Sequence, residues 1–286
     1  MWAIAYKFKQ LLSCKQVLKS CCHSSNGNIT FLPRKLTSPN LLPNPVYDTY
    51  QKKIVEKKTA TPIKKICSWN IQELWWHCYR GNKINNLIQY IVHSDASVFC
   101  LQEAFDMDIQ HLIITHPKIT EKYPYYITGN QYNSYFLGEN SGLIVLSDQP
   151  ILFRQFTPFL HTTVPDCFAS KGALYFTTGE INFITTHLQS DNIRIALQQL
   201  AFIIFNSPFK EKTVLIGDLN IPDPFSPLQL ERNNNNHTHI SGVTLDHILP
   251  LFADLSLSID VDYINLKNTS DHWPLIASLN QIPSTE

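Results

Sequence analysis

An α/β sandwich is the fold class that this sequence predicts, and three observations predict it. Short apolar, β-branched runs recur from Ile63 onward, each the length of a strand rather than a helix. Only a few helical segments interrupt them, and no regular βαβ repeat emerges, which argues against a barrel. Most of the runs end on polar residues: Asn70, Glu103, His187, Asp218 with Asn220, Asp246, and the pair Asp271-His272. Strand ends that carry carboxylates, amides and two histidines into a common cleft describe a hydrolytic site for a phosphodiester, suited to Mg²⁺.

The 286 residues suit one large domain or two small ones, and 44% apolar with 12% aromatic content is enough for a packed core. The zero net charge hides an asymmetry. Residues 1–65 hold 12 of the 23 Lys and Arg but only 2 of the 23 acids, leaving 11 basic and 21 acidic residues in the rest. An acidic body disfavours broad contact with duplex nucleic acid, whose affinity rests on Lys and Arg. Acids collected around a metal would account for part of the excess. The seven cysteines have no zinc-site spacing, and no secretory cleavage pattern is evident. They read as mostly free thiols in a reducing, intracellular compartment. No stretch reaches the roughly 20 apolar residues of a membrane-spanning helix, and a monomer is expected.

Residues 1–22 carry four lysines and no acid, with Ile4, Phe8, Leu11, Leu12 and Leu18 on one helical face. Three readings stay open. The segment can lie on an anionic membrane surface with Cys14, Cys21 and Cys22 acylated. It can target an organelle, or it can be a plain basic tail. Residues 23–62 are rich in Pro, Asn, Ser and Thr and read as a linker with little regular structure. The expected organisation is therefore a basic arm and linker over 1–62 and a catalytic domain over 63–286.

Within that domain the pattern predicts a first strand over 63–71 and a helix over 82–93, where Ile84, Leu87, Ile88 and Ile91 recur at helical spacing. A strand follows over 96–101, then a helix over 106–114 with Pro117 just past its end, and a strand over 123–128. Residues 129–141 read as a loop. Two runs, 142–146 and 151–156, read as a strand pair around Asp148-Gln149-Pro150, and 173–178 with 181–186 as a hairpin across Gly179-Glu180. The apolar spacing over 191–205 predicts a helix capped by Ser190 or Asp191. A strand over 213–216 leads to Asp218. Residues 221–242, with three prolines and an asparagine run, read as a mobile loop. Strands over 243–249, 259–264 and 274–279 complete the series.

This order of motifs resembles the endonuclease/exonuclease/phosphatase superfamily over about residues 63–280. The resemblance implies a four-layer DNase-like fold: a two-sheet β-sandwich with helices outside each sheet. Three stretches are similar to the neutral sphingomyelinase branch: Asn140-Ser141-Gly142-Leu143-Ile144, then Ala169-Ser170-Lys171-Gly172-Ala173-Leu174, and Thr186-His187-Leu188-Gln189. Nuclease members usually lack the Lys-Gly segment. The strand holding Asp246 departs from relatives, reading Leu-Asp-His-Ile where Tyr usually follows the Asp. The resemblance implies Mg²⁺-dependent hydrolysis, with Mn²⁺ as a substitute, of sphingomyelin or a related phospholipid to phosphocholine and ceramide. The alternatives are a nuclease, a phosphatase on a soluble phosphoester, and a membrane-binding scaffold that keeps the fold without catalysis.

Residue chemistry and family position together make Glu103 the first metal ligand, with Asp271 and Asn70 near the metal. His272 fits the general base, since an unperturbed imidazole titrates near neutrality. Asp246 orients it by resemblance, while Asp271 is the alternative partner. Asp218 can position the water or protonate the leaving oxygen. Asn220 and His187 can donate to the phosphate, and Asn70 can hold Asp218, a phosphate oxygen or the metal shell. Lys171 can meet the phosphate or pair with Asp166 when the site is idle. Trp75, Trp76, His77 and Tyr79 are equally consistent with lipid or choline contact and with loop packing.

Overall fold

The computed structural model describes residues 23–25, 28–30, 62–74, 81–129, 140–222, 237–251, 255–264 and 269–280. The chain divides into two units, Met1–Thr59 and Ala60–Glu286. In the first, two three-residue strands, β1 (His23–Ser25) and β2 (Asn28–Thr30), pair antiparallel. They fall in a stretch expected to lack regular structure, where composition alone carries no pairing signal.

The second unit opens with β3 (Lys65–Glu73), α1 (Gly81–His93), β4 (Val98–Ala104), α2 (Met107–Thr115) and α3 (Pro117–Lys122). Then come β5 (Tyr125–Thr128), β6 (Ile144–Ser147), β7 (Ile151–Pro158), a 3₁₀ turn (Asp166–Phe168), β8 (Gly172–Thr178) and β9 (Ile181–His187). α4 (Ile193–Phe205), β10 (Thr213–Asp218), β11 (Asp246–Pro250), β12 (Ser256–Val261) and β13 (Leu275–Asn280) complete it. Pro117, expected to stand beyond a helix, instead opens one, because a proline at the first helical position has no amide hydrogen to leave unbonded. The cap of α4 is Asn192, which accepts from the amide of Ile195, not Ser190 or Asp191.

Two sheets form, ordered β12-β13-β3-β4-β6-β5 and β11-β10-β9-β8-β7. The expected pairing of the runs around Asp148-Gln149-Pro150 does not occur. β6 pairs with β4 and β5, whereas β7 pairs with β8 in the other sheet. A two-sheet sandwich needs chain crossings, and this turn is one of them. Each sheet holds a single parallel pair, β3 with β4 and β9 with β10, connected through α1 and α4 respectively. The β8–β9 hairpin forms as expected, turning through Gly179 at φ +58°.

Strand alternation assigns the layers. Cys67, Trp69, Ile71, Phe99, Leu101, Ile144 and Leu146 pack with Leu87, Ile88 and Ile91 of α1. Tyr175, Ile184 and Leu215 pack with Ala196, Leu200 and Ile203 of α4. The intervening positions face the opposite sheet. Ser147 Oγ lies 3.2 Å from Thr178 Oγ1 across that interface, and Asn70 reaches Asp218 across it. Trp69 is fully buried, and its Nε1 donates to the carbonyl of His272 at 2.9 Å, so the core fixes the backbone of a candidate site residue.

Gly217 is required where β10 meets β9. It has φ +141°, and a Cβ there would stand 2.0 Å from the carbonyl oxygen of Thr186. That close approach keeps Asp218 in register with His187 on one side and Asp246 on the other. Gly217→Ala should destabilise the domain by about 2 kcal/mol or more, lowering the melting temperature by roughly 4–8 °C. Wild-type melting in a calorimetric scan would contradict this account of the register.

Candidate active site

The site grows from the ends of the two parallel strand pairs, and the same local device closes both. Asn70 Oδ1 accepts from the amide of Gln72 at 3.1 Å, and Asp218 Oδ1 accepts from the amide of Asn220 at 3.0 Å. Each is a side chain bonding the backbone two residues on, which lets the strand turn sharply. Gln72 (φ +51°) and Asn220 (φ +50°) take left-handed conformations in consequence, and Glu103 (φ +54°) does so at the end of β4. Backbone held there costs on the order of 1–3 kcal/mol per residue and concentrates where side chains are aimed for function.

The amide of Asn70 joins the two sheets chemically. Its Nδ2 donates to Glu103 Oε1 at 3.0 Å and to Asp218 Oδ2 at 2.9 Å. Asn70 is fully buried, and Asp218 is only 2% exposed. His187 Nε2 stands 3.6 Å from Asp218 Oδ2 and 3.8 Å from Glu103 Oε1. His272 Nδ1 lies 2.7 Å from Asp246 Oδ2, while its Nε2 faces Asp218 Oδ2 and Asp271 Oδ1, each at 3.8 Å. Asp246, not Asp271, is thus the partner that orients the His272 ring. Thr238 Oγ1 accepts from the amides of Leu245 and Asp246, both at 3.0 Å, which secures that partner in turn.

Asp271 is bonded by partners outside the Glu103 group, although its charge reaches Glu103 and adds to the burial that raises it. Its Oδ2 accepts from Gln72 Nε2 at 2.6 Å and stands 3.6 Å from His239 Nε2. Ligand atoms within 4.8 Å of one another group Glu103 with His187 and Asp218, and Asp271 with His239 and His272. Lys171 and Asp166 form the expected ion pair at 2.7 Å, with Lys171 almost fully buried. Lys171 Nζ also donates to the carbonyl of Leu188 at 2.8 Å, and Asn220 Nδ2 to the same oxygen at 3.2 Å. Asp166 Oδ2 accepts from the amide and hydroxyl of Ser190.

Sequence reasoning missed Gln72, Thr238, His239 and Ser270, whose hydroxyl donates to the carbonyl of Asn70 at 2.6 Å. His239 sits in the stretch read as a mobile loop, yet residues 237–242 are tied down by backbone bonds to Asp271 and Trp273. No local pattern announces those long-range bonds. Trp75, Trp76, His77 and Tyr79, and residues 223–236, lie outside the described residues.

Electrostatics follow from burial and from the crowding of carboxylates. Burial, then Asp246, raises Asp218 to about 7. Burial, then Asp271, raises Glu103. Burial, then the positive charges of Lys171 and His272, pushes His187 well below its ordinary value, so it is a neutral imidazole at pH 7. Burial alone would lower His272, but Asp246, Asp218 and Asp271 outweigh it and lift the ring to about 10.

The model of one family, described as Endonuclease/Exonuclease/phosphatase family, matches residues 67–272. The chain belongs to that family. No curated protein sequence matches it. Among solved structures, the chain is similar to sphingomyelinase C from Streptomyces griseocarneus, at 20% identity and a TM-score of 0.60, over 77% of this chain and 100% of that one. A mutant beta toxin from Staphylococcus aureus with bound magnesium ions is similar at 17% identity and 0.60, over 77% and 100%. TDP2 from D. rerio, complexed with single strand DNA product, is similar at 16% identity and 0.55, over 77% and 100%. At these identities the likeness establishes the fold, a DNase-like sandwich. Family membership supports hydrolysis of a phosphoester.

The donor set fits a divalent cation. Two carboxylates from different sheets, Asp218 buried and Glu103 one fifth exposed, converge on one neutral amide, with a neutral imidazole beside them. Carboxylate oxygens are the preferred ligands of Mg²⁺, and a cation between them would offset the burial and the neighbouring acids that raise both. The linkage has a definite sign. A carboxyl raised to about 7 costs the metal-free fold stability as pH rises from the ordinary carboxylate range through about 7. A cation recovers that loss only where Asp218 has given up its proton. Millimolar Mg²⁺ should therefore raise the melting temperature clearly at pH 8 and hardly at pH 5.5. An equal rise at both values would contradict the assignment.

Proposed function

We propose that this chain is a Mg²⁺-dependent phosphodiesterase that releases phosphocholine from sphingomyelin or a related choline phospholipid. The observation that carries the reaction type is the His272–Asp246 pair aimed at buried carboxylates. Asp246 accepts the Nδ1 hydrogen of His272, so the lone pair of the neutral ring lies on Nε2, directed toward Asp218 and the Glu103 group. That is the geometry of a general base for an attacking water.

Bound by Glu103 with Asp218 and His187 nearby, the cation supplies charge neutralisation of the phosphate and of the carboxylates around it. The second effect matters for His272. Three acids hold its ring protonated to about pH 10. A cation beside Glu103 and Asp218 would draw on the charge of Asp218, one of the three, and so weaken the hold of the ring on its proton. Asn70 keeps Glu103 and Asp218 at a fixed separation. Lys171 and Asn220, resting on the carbonyl of Leu188, are the donors that transfer to phosphate oxygens when substrate enters, and Asp166 receives Lys171 when it leaves. Neutral His187 donates to a phosphate oxygen as negative charge develops there in the transition state. Asp218 holds the water or returns a proton to the leaving oxygen.

The choice of lipid is supported by Lys171 and its pairing with Asp166, and by the fold shared with a sphingomyelinase C. A second reading, cleavage of a nucleic-acid phosphoester, is favoured by the fold shared with TDP2 in complex with single strand DNA product. The excess of acids outside residues 1–65 weighs against a duplex substrate. The peripheral contact of residues 1–22 with a membrane is part of the same proposal.

Phosphocholine release from sphingomyelin in mixed micelles decides between the readings. Release should require Mg²⁺, stop with EDTA, and fall by about 10²–10⁴-fold in His272→Ala. Glu103→Ala should fall as far, with thermal melting of the metal-free protein kept in both. Release that persists in either variant would overturn the site. No release from folded wild type, together with cleavage of a single-stranded oligonucleotide, would move the substrate to nucleic acid.

A further inference from the structure

We propose that His239 is a further substrate-contacting residue, whose Nε2–H donates to a non-bridging phosphate oxygen beside His272. The inference rests on the reading of the site as a phosphodiester hydrolase and adds a residue to it.

Three observations carry it. The first is the tautomer. The amide of Ser241 donates to His239 Nδ1 at 3.1 Å, and the Ser241 hydroxyl lies 2.6 Å from the same nitrogen. A backbone N–H can only donate, so Nδ1 is an acceptor and the neutral ring carries its hydrogen on Nε2. The second is where that hydrogen faces. Nε2 stands 3.6 Å from Asp271 Oδ2, beyond hydrogen-bond range, and that oxygen already takes Gln72 Nε2 at 2.6 Å. The hydrogen thus faces Asp271 across a long, weak contact that, against the effect of burial, helps hold that carboxyl below its ordinary range. In a side chain only 13% exposed, that contact can pass to a phosphate oxygen. The third is support. The ring meets the His272 ring edge-on at a centroid distance of 4.7 Å. Its backbone bridges His272, the amide of Ile240 donates to the carbonyl of Asp271, and that of Trp273 to Thr238. Thr238 in turn holds the amide of Asp246. A segment bonded on both sides to the general base and its partner holds His239 in a fixed pose.

The same observations separate this role from a metal ligand. His239, Asp271 and His272 lie close enough for a cation, but a ligating Nε2 must give up its hydrogen, and Ser241 holds the ring in the opposite tautomer. They also give the donor a side of the phosphate. His239 neighbours the base that takes the water's proton. In an in-line displacement the leaving oxygen departs on the far side, so His239 serves an equatorial oxygen.

The test uses the full chain with Mg²⁺ and two readouts: hydrolysis of bis(4-nitrophenyl) phosphate, which needs no lipid, and titration with phosphocholine. His239→Ala should lower kcat/KM on the aryl diester by about 10–100-fold, the scale of one hydrogen bond to a charged group. It should weaken phosphocholine binding while melting stays near wild type. His239→Gln, whose Nε2 can take the same place, should recover most of both. Unchanged kcat/KM in His239→Ala would overturn the proposal. So would a binding penalty that vanishes in an Asp271→Asn background, since the imidazole would then act only through Asp271. Wild type that cleaves the aryl diester but not sphingomyelin would fail the lipid reading and leave this contact standing.

Discussion

One amide group holds two carboxylates together, one of them buried, and the rest of the structure is arranged to make that possible. Asn70 Nδ2 bonds Glu103 from its own sheet and Asp218 from the facing one. Asp218 cannot be buried so deeply without a partner, because a charged group left unsatisfied in the interior costs several kcal/mol. The amide lowers that cost and leaves a deficit of positive charge that a divalent cation would meet. The sandwich, the parallel pair in each sheet and Gly217 between β9 and β10 all bring these strand ends to one place.

Much of this was legible in the residues, for a physical reason. A strand buried on both faces shows as an apolar run, and a polar residue at its end has few roles except to face a cleft. That reasoning reached Asn70, Glu103, His187, Asp218, Asp246 and His272, which the fold does gather. It also reached α1 and the β8–β9 hairpin, where periodicity and a turn glycine are local signals. What it missed depends on contacts distant in sequence. Nothing in Asp148-Gln149-Pro150 says that the chain changes sheets there. Gln72 and His239 enter the site only because a bulge after Asn70 and a bridge to His272 carry them in.

The same crowding sets the charge states of the two histidines apart. His272 faces three acids and holds its proton tightly, while His187, flanked by Lys171 and buried, holds none. Two imidazoles a few ångströms from the same carboxylates are thereby given opposite charge states by their surroundings. In the proposed mechanism the difference suits opposite duties: one ring would act as a base, the other would donate without changing state. Lys171 and Asn220 wait likewise on a single backbone carbonyl.

The central claim is that Glu103 and Asp218, bridged by Asn70, form the cation site. The most direct measurement is the anomalous scattering of Mn²⁺ in crystals soaked with that ion. The account predicts a peak in contact with Glu103 and beside Asp218 and His187, absent from crystals of Glu103→Gln. A peak confined to His239 and Asp271, or none between the two carboxylates, would contradict it.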